Sequence, residues 1–118
     1  MQVVAAVISD GTKVMVARRA SGRSHAGLWE FPGGKVEADE TPTAALVREI
    51  REELSLEIAV GRHLVTVGNG LLELSAYSAV VQSGSPVLQD HDALAWLDKR
   101  ELLQIEMPEL DQQIRDKL

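Results

Sequence analysis

The sequence predicts one α+β domain, residues 1–118, with a mixed or antiparallel β-sheet and two principal helices. Two hairpin dipeptides, Asp10-Gly11 and Asn69-Gly70, each lie between runs that are rich in branched apolar residues. A helix is predicted to begin at Thr41-Pro42, because threonine is a good N-cap and proline suits the first helical position. The length of 118 residues, 45% of them hydrophobic, fits a single globular domain with its own core.

The first third of the chain is predicted to hold three strands. Residues 3–8 and 13–18 form the first hairpin, and residues 28–31 form a short third strand. The segment between them, residues 20–27, is rich in small and polar residues and is predicted to be a mobile loop beside the functional site. Pro32-Gly33-Gly34 is then expected to interrupt the regular structure just before the loop that leads to the first helix.

The remaining strands follow the first helix. Residues 58–67 and 71–81 are predicted to form the second hairpin around Asn69-Gly70. Residues 83–86 make a loop, and residues 93–97 form the last strand. The sheet is therefore expected to contain strands from both halves of the chain.

Two helices are predicted after the last strand. Asp98 and Glu101 have the spacing of a capping box, which indicates the start of a short helix. A terminal helix is predicted to start at Pro108. One face of this helix is apolar, because four-residue intervals separate Leu110, Ile114 and Leu118.

Composition excludes several classes of protein. The chain has no cysteine, no signal-like N-terminus and no long apolar span, so we expect a cytoplasmic protein without disulfides or a membrane partner. The formal net charge of −6 argues against a nucleic-acid polymer as partner, because binding to a phosphate backbone requires a basic surface. A small nucleotide bound through a metal ion is compatible with this charge.

The first helix carries three glutamates on one face. Glu49, Glu52 and Glu53 stand at i, i+3 and i+4, where like charges repel unless a cation or a proton intervenes. Oxygen ligands favour Mg²⁺ or Mn²⁺, and the absence of cysteine excludes a thiolate site. The alternative interpretation is a solvated acidic face with chance spacing. Arg48 lies one turn before Glu52, and Glu40 is placed to fold back toward Arg48 and hold the preceding loop.

Residues 34–56 follow the pattern Gly-x5-Glu-x7-Arg-Glu-Ile-x-Glu-Glu-x-Ser-Leu. This pattern resembles the Nudix box, Gly-x5-Glu-x7-Arg-Glu-U-x-Glu-Glu-x-Gly-U with U apolar, and only Ser55 departs from it. A glycine there would end the helix in a left-handed conformation, which serine adopts less readily, so we expect a slightly different helix exit and intact metal ligands. Residues 3–7, Arg18-Arg19 and residues 27–34 extend the resemblance to the MutT branch of the family.

The resemblance implies an α/β/α sandwich and a Mg²⁺-dependent nucleoside triphosphate pyrophosphohydrolase, with Mn²⁺ as the alternative ion. Such an enzyme releases a nucleoside monophosphate and pyrophosphate. Oxidised dGTP, the substrate of the 8-oxo-dGTP diphosphatases that act in DNA repair, and (d)CTP are the leading candidates. The alternatives are a nucleoside diphosphate linked to another group, such as ADP-ribose or a dinucleoside polyphosphate, and a catalytically silent nucleotide-binding module.

The resemblance also implies the roles of residues in the box. Glu52 and Glu53 are the principal metal ligands, together with a carbonyl oxygen of Gly33 or Gly34. Glu49 is either a further ligand or the general base. Arg48 belongs to the catalytic set as a scaffold for these carboxylates.

Substrate contacts are expected next to the box. Arg19 is a candidate for a phosphate, because a guanidinium clamps phosphate oxygens through two donors, and the alternative is a solvated charge at a strand end. Trp29 and Phe31 share one face of a strand, so either one stacks on a base or both belong to the core. Glu109 suits an exocyclic amine such as cytosine N4, or is simply an acid favoured at a helix N-terminus. The expected substrate-binding residues are Arg19, Trp29, Glu30, Phe31, Pro32, Gly33, Gly34 and Glu109.

Ala95 is a departure from the family pattern. The MutT branch has a further glutamate ligand at this position, so the number of metal ions stays open. Asp90 or Asp92 is a possible substitute, and the alternative is that both are solvated turn residues. The oligomeric state, monomer or homodimer, is also open. Three dispersed histidines are expected to be structural or solvent-facing, namely His25, His63 and His91.

Overall fold

The structure is a computed structural model that describes residues 1–118, and it contains seven strands and three helices. The strands are β1 (Gln2–Asp10), β2 (Lys13–Arg19), β3 (Trp29–Glu30), β4 (Gly33–Lys35), β5 (Glu57–Gly68), β6 (Glu73–Ser83) and β7 (His91–Leu97). The helices are α1 (Pro42–Leu54), α2 (Lys99–Leu102) and α3 (Glu109–Arg115). None of the three helices has the length and apolarity that crossing a membrane requires.

The sheet is mixed and is centred on β1. This strand runs parallel to β6 and antiparallel to β2 and β4, and the strand order is β3-β2-β1-β6-β5. The predicted hairpin of β5 and β6 is antiparallel, as expected from Asn69-Gly70. β7 pairs with β2 from Val14 to Arg19, along the edge opposite to the one that β1 and β3 occupy. β2 therefore carries β3 along one edge and β7 along the other.

A helical layer covers each face of the sheet. On one face, Leu46, Ile50 and Leu54 of α1 are fully buried against β1 residues such as Val4 and Ile8. Complete burial of each of these leucine or isoleucine side chains contributes about 1.5–3 kcal/mol. On the other face, the buried residues Leu110 and Ile114 of α3 pack against the opposite side of the same strands. The predicted α/β/α sandwich is therefore confirmed.

The capping residues that were identified in the sequence form the expected bonds. Thr41 accepts from the Ala44 amide at 3.2 Å and Pro42 is the first residue of α1. Asp98 and Glu101 form a reciprocal capping box that starts α2.

Two expectations about local structure were wrong. Ser55 adopts the left-handed conformation (φ 57°, ψ 32°) that a glycine would adopt, and its amide donates to the Arg51 carbonyl, so the helix exit is the ordinary one. Gly33 and Gly34 do not merely interrupt the chain, because they form β4 and pair with Ala5 and Val4 of β1. Pairing with the central strand fixes these glycines directly beside α1.

Candidate active site

Arg48 is the centre of an ion-pair network that joins α1 to the preceding loop. Its Nε and Nη2 atoms donate to the two carboxylate oxygens of Glu40 at 2.7 and 2.9 Å, and Nη2 also donates to the Lys35 carbonyl at 3.0 Å. The hydrogen bond from Arg48 lowers the pKa of Glu40 to about 2. Its Nη1 atom donates to Glu49 at 3.0 Å and to Glu52 at 3.3 Å. The predicted pairing of Arg48 with Glu40 and Glu52 is therefore confirmed.

Glu49 lies against Gly34 of β4. A Cβ atom built on Gly34 would overlap with the carboxylate group of Glu49, so only glycine leaves room for this side chain. The Glu49 carboxylate is mostly buried, and burial raises the pKa of Glu49 despite the opposing hydrogen bond from Arg48. The strand β4 and the residue Arg48 thus hold Glu49 in one position between them.

Glu53 is the most deeply buried carboxylate of α1. Burial, followed by the negative charges of Glu30, Glu49 and Asp90, raises the pKa of Glu53 to about 8. Its Oε2 atom is buried without a hydrogen-bond partner. An unpaired buried carboxylate oxygen is costly, and a divalent cation satisfies such an atom while offsetting the surrounding negative charge. Glu53 and its acidic neighbours therefore fit a hard metal ion.

The three glutamates of α1 do not converge in the way that the sequence predicts. Arg48 holds Glu49 and Glu52 on one side, and the Glu52 side chain is 60% exposed, whereas Glu53 is buried. No group of three acidic or histidine side chains in the structure is arranged as a metal site. A ligand set that includes Glu52 consequently requires its side chain to leave Arg48.

A cleft of about 380 Å³ opens beside β4. Gly33, Gly34, Glu30 and Arg19 line one part of it, and β1 contributes to its wall. Elsewhere the wall comes from the hairpin between β5 and β6 and from the beginning of α3. The size is within the range of small-ligand sites. Glu49 packs against the lining residue Gly34, and the charge of the lining residue Glu30 reaches Glu53, so the acidic residues of α1 lie next to the cleft without lining it.

Arg19, the candidate phosphate contact, lies in the wall of this cleft. Its Nη1 atom donates to Glu30 at 3.3 Å, while its Nε and Nη2 atoms donate to the carbonyl and hydroxyl of Ser24 at 3.1 and 3.4 Å. The loop of residues 20–27 is also held by an ion pair of 2.6 Å between Arg23 and Asp90. Arg19 is thus placed between this loop and the cleft, where its guanidinium can meet an anionic ligand.

The two aromatic residues that were considered as base contacts have different environments. Phe31 lines the cleft but is 3% exposed, so it belongs mainly to the core. Trp29 does not line the cleft, and its ring lies 5.6 Å below the guanidinium carbon of Arg18. Pro32 is fully buried and also lies outside the cleft lining. The structure therefore favours Phe31 over Trp29 as a ligand contact.

Asp111 is a cleft residue that the sequence interpretation missed. It is 8% exposed, and one of its oxygens accepts from the Phe31 amide at 3.0 Å. Burial raises the pKa of Asp111 to about 7, and the charge of Glu30 adds to this effect. Glu109, the residue that was predicted, also lines the cleft but is exposed. The sequence does contain a signal for Asp111. It is an acidic residue three positions before Ile114, and this spacing places it on the apolar face of α3.

Ala95 has no side-chain atom that could bind a metal ion. Ala95 pairs with Val16 and packs against the core on the α3 side of the sheet. Both suggested substitutes are ion-paired, Asp92 with Arg18 at 2.7 Å and Asp90 with Arg23 at 2.6 Å, so pairing does not distinguish them. Asp90 is close enough to Glu53 for its charge to raise the pKa of that residue. Asp90 is therefore the better placed acid.

Comparison with known proteins identifies the class. The model of the NUDIX domain family matches residues 1–118. A CTP pyrophosphohydrolase from Escherichia coli is 39% identical over 115 residues, which cover 94% of this chain and 85% of that protein. A putative 8-oxo-dGTP diphosphatase from Mycobacterium tuberculosis is 45% identical over 107 residues, which cover 85% and 74% respectively. The solution structure of the E. coli ORF135 protein superposes with a TM-score of 0.81 at 36% identity, covering 98% of this chain and 86% of the other.

These matches define a nucleotide-directed hydrolase fold with an acidic helix beside its cleft. The chain belongs to the Nudix family, and the predicted resemblance to its MutT-like members is confirmed. The prediction of a Nudix hydrolase is confirmed as well. Nudix hydrolases generally use a divalent metal ion and act on small nucleotide substrates.

Proposed function

We propose that this protein is a Mg²⁺-dependent nucleoside triphosphate pyrophosphohydrolase that releases a nucleoside monophosphate and pyrophosphate. The observation that carries the proposal is the buried, unpaired Oε2 atom of Glu53, whose carboxyl group lies within electrostatic reach of Glu30 in the wall of a nucleotide-sized cleft. A carboxylate in this state needs a cation, and a polyphosphate chain brings the negative charge that such a cation attracts. The proposal covers residues 1–118 as one catalytic domain that acts as a monomer or homodimer.

Glu53 and Glu52 would hold the metal ion, together with a carbonyl oxygen of Gly33 or Gly34, and Glu49 would be either a further ligand or the general base. Asp90 is the candidate for the ligand that Ala95 does not supply. Mn²⁺ can replace Mg²⁺ in such a set, since both ions prefer oxygen ligands. When bound, the ion supplies a positive charge that offsets the charge developing on the diphosphate group in the transition state.

The remaining residues orient the substrate and move a proton. Glu49 is the candidate general base for the attacking water, because Arg48 and β4 hold its carboxyl in one position and burial raises its pKa above the ordinary value. Arg48 fixes Glu49 through a bond of 3.0 Å. Arg19 is the candidate phosphate contact, since its guanidinium lies in the cleft wall and already binds polar partners there. Under these assignments, Glu49 of α1 accepts the proton and Arg19 of β2 binds the phosphate.

The far end of the cleft would hold the nucleobase. Two acids of α3, Glu109 and Asp111, meet Phe31 there. A carboxyl group that accepts from an exocyclic amine, or donates when protonated, discriminates among base edges. Oxidised dGTP and (d)CTP are the preferred candidates, because the related proteins are a CTP pyrophosphohydrolase from E. coli and a putative 8-oxo-dGTP diphosphatase from M. tuberculosis.

A substrate screen tests the proposal. Purified protein is incubated with (d)NTPs, oxidised dGTP, ADP-ribose and dinucleoside polyphosphates, with and without Mg²⁺, and pyrophosphate or phosphate-containing products are quantified. We expect release of pyrophosphate from a nucleoside triphosphate, strong activity with Mg²⁺ or Mn²⁺ and weak activity with Ca²⁺, because the smaller ions impose a tighter geometry. Cleavage of ADP-ribose alone would assign the second substrate class, and nucleotide binding without turnover would indicate a silent module.

A further inference from the structure

His91 is a buried residue with one defined polar partner. Its side chain is completely inaccessible, and its Nε2 atom lies 2.8 Å from Oε2 of Glu30. A carboxylate oxygen only accepts hydrogen bonds, so the tautomer that fits is the one with a proton on Nε2. The other ring nitrogen, Nδ1, is buried without a partner. The ring therefore makes a single polar contact, and that contact is to a residue of the cleft wall.

The contact joins strands on opposite sides of β2. Glu30 is one of only two residues of β3 and pairs with Ala17 of β2. His91 is the first residue of β7 and pairs with Arg19 of β2. Because β3 is so short, few backbone bonds fix the direction of the Glu30 side chain. The hydrogen bond from the buried Nε2 atom of His91, on β7, fixes that direction.

Arg19 is the second donor to the same carboxylate oxygen. Its Nη1 atom lies 3.3 Å from Oε2 of Glu30, which therefore accepts from His91 and Arg19 together. Without the first donor, the Glu30 carboxylate is free to follow the guanidinium of Arg19. Loss of the His91 contact consequently changes the position of two cleft residues.

The charge of Glu30 affects two other acidic residues, one on α1 and one on α3. It contributes to the raised pKa of Glu53 and to that of Asp111. A carboxylate within electrostatic reach of both acids has to be held in place if neither is to be disturbed. The residue that holds it is not itself in the cleft lining.

We propose that His91 is a positioning residue for nucleotide hydrolysis, which acts by donating from Nε2 to Glu30 and so fixes Glu30 and Arg19 in the cleft wall. The inference rests on the proposed function, because it concerns the same cleft. His91 touches neither the substrate nor the reacting atoms.

Two amide substitutions of His91 separate positioning from packing. The amide nitrogen of glutamine reaches approximately the place of Nε2, whereas that of asparagine lies near Nδ1, which has no partner. We expect His91→Gln to keep kcat/KM within about threefold of wild type and His91→Asn to lower it about tenfold, as loss of a hydrogen bond to a charged group requires. Equal losses in the two variants would overturn the proposal. His63→Gln and His63→Asn, on the exposed part of β5, are the matched controls and should leave kcat/KM unchanged.

A double variant shows whether His91 acts through Glu30. In the Glu30→Ala background, His91→Asn should cause no further loss, because the acceptor is already absent. Additive losses would show that His91 acts by another route and would overturn the proposal. Melting temperatures of all variants identify any loss of folding. If His91→Asn does not fold, the activity of His91→Gln and the tautomer measurement described next test the proposal.

The tautomer of His91 is a readout that does not depend on catalysis. Long-range ¹H–¹⁵N correlation spectra of the free protein are expected to show a proton on Nε2. A proton on Nδ1 alone would overturn the inference, because the bond to Glu30 would then lack its donor. If the wild-type protein hydrolyses no nucleotide, the proposed function fails, and the tautomer still decides whether His91 donates to Glu30.

Discussion

The carboxylate of Glu49 lies so close to the α-carbon of Gly34 that a Cβ atom on Gly34 would overlap with it. The preceding glycine has a different reason to lack a side chain, because a Cβ atom on Gly33 would overlap with the backbone carbonyl of Val4. Neither glycine has a positive φ angle. One glycine therefore makes room for a candidate catalytic group and the other for the pairing of two strands.

Alanine at these two positions should separate activity from stability. Gly34→Ala meets only the end of a side chain, which can move, so we expect a folded protein in which displacement of Glu49 lowers kcat by about tenfold to a hundredfold. Gly33→Ala meets fixed backbone, and we expect it to lower the free energy of unfolding by at least about 1–3 kcal/mol. Urea denaturation and steady-state kinetics on both variants measure the two effects. A Gly34→Ala protein with full activity would show that the position of Glu49 is unimportant.

Glu53→Gln should abolish turnover and stabilise the metal-free fold. We expect kcat to fall by several orders of magnitude, because the variant lacks a charge that binds the metal. The pKa of Glu53 in the folded protein, about 8, lies above its ordinary value of 4.5. Its contribution to stability is therefore fully present below pH 4.5 and is lost as the pH rises through about 8. In EDTA at pH 8, Glu53→Gln should accordingly have a higher melting temperature than wild type.

The matched control for that experiment is Glu73→Gln, at an exposed position at the start of β6. It should change neither turnover nor the response to Mg²⁺. Added Mg²⁺ should raise the melting temperature of wild type and of the control, and raise that of Glu53→Gln much less. A Glu53→Gln enzyme that remains active with Mg²⁺ would refute the assignment of Glu53 as a ligand.

Local signals in the sequence predicted most of the fold. The caps of α1 and α2 and the turn at Asn69-Gly70 each depend on residues within a few positions of one another. The pairing of Arg48 with Glu40 was also predictable, because both belong to one recognisable segment. β4 was missed, since a three-residue strand that contains two glycines has no periodic pattern.

The contacts that complete the cleft come from distant parts of the chain. Glu30 and His91 are 61 positions apart, and Phe31 and Asp111 are 80 positions apart. Nothing in the spacing of one sequence relates such residues, because their proximity depends on how β3, β7 and α3 pack around β2. The sequence therefore indicated the acidic helix and Arg19 as a residue near the site, while the buried partner of Glu30 and the acid inside α3 required the structure.

The pair of Glu40 and Arg48 should stabilise the fold in a pH-dependent way. The pKa of Glu40 is lowered from 4.5 to about 2, chiefly by its hydrogen bond with Arg48. The stabilisation is therefore present above pH 4.5 and is lost as the pH falls toward 2. Glu40→Gln should be less stable than wild type at pH 7, and the difference should shrink between pH 4.5 and pH 3. Urea midpoints at several pH values measure this, and a difference that is independent of pH would contradict the assignment.

The last prediction concerns the nucleobase and compares the two acids of α3. Asp111 is buried and accepts from the Phe31 amide, whereas Glu109 is exposed at the first turn of the helix. Buried polar groups discriminate more strongly than exposed ones, because a mismatched base leaves them without a partner. We therefore expect Asp111→Asn to change the ratios of kcat/KM among oxidised dGTP, dCTP and dGTP by at least about tenfold, and Glu109→Ala to change them less.

The pH dependence of these ratios distinguishes base recognition from the shared phosphate chemistry. With a pKa of about 7, the carboxyl of Asp111 donates a proton in a hydrogen bond below pH 7 and only accepts above it. Effects of pH on the common hydrolytic step cancel when two nucleotides are compared on one enzyme. The ratios should consequently change between pH 6 and pH 8 in wild type and in Glu109→Ala, but not in Asp111→Asn, which does not titrate. Ratios that are constant in wild type, or that Glu109→Ala alone alters, would show that Asp111 does not read the base.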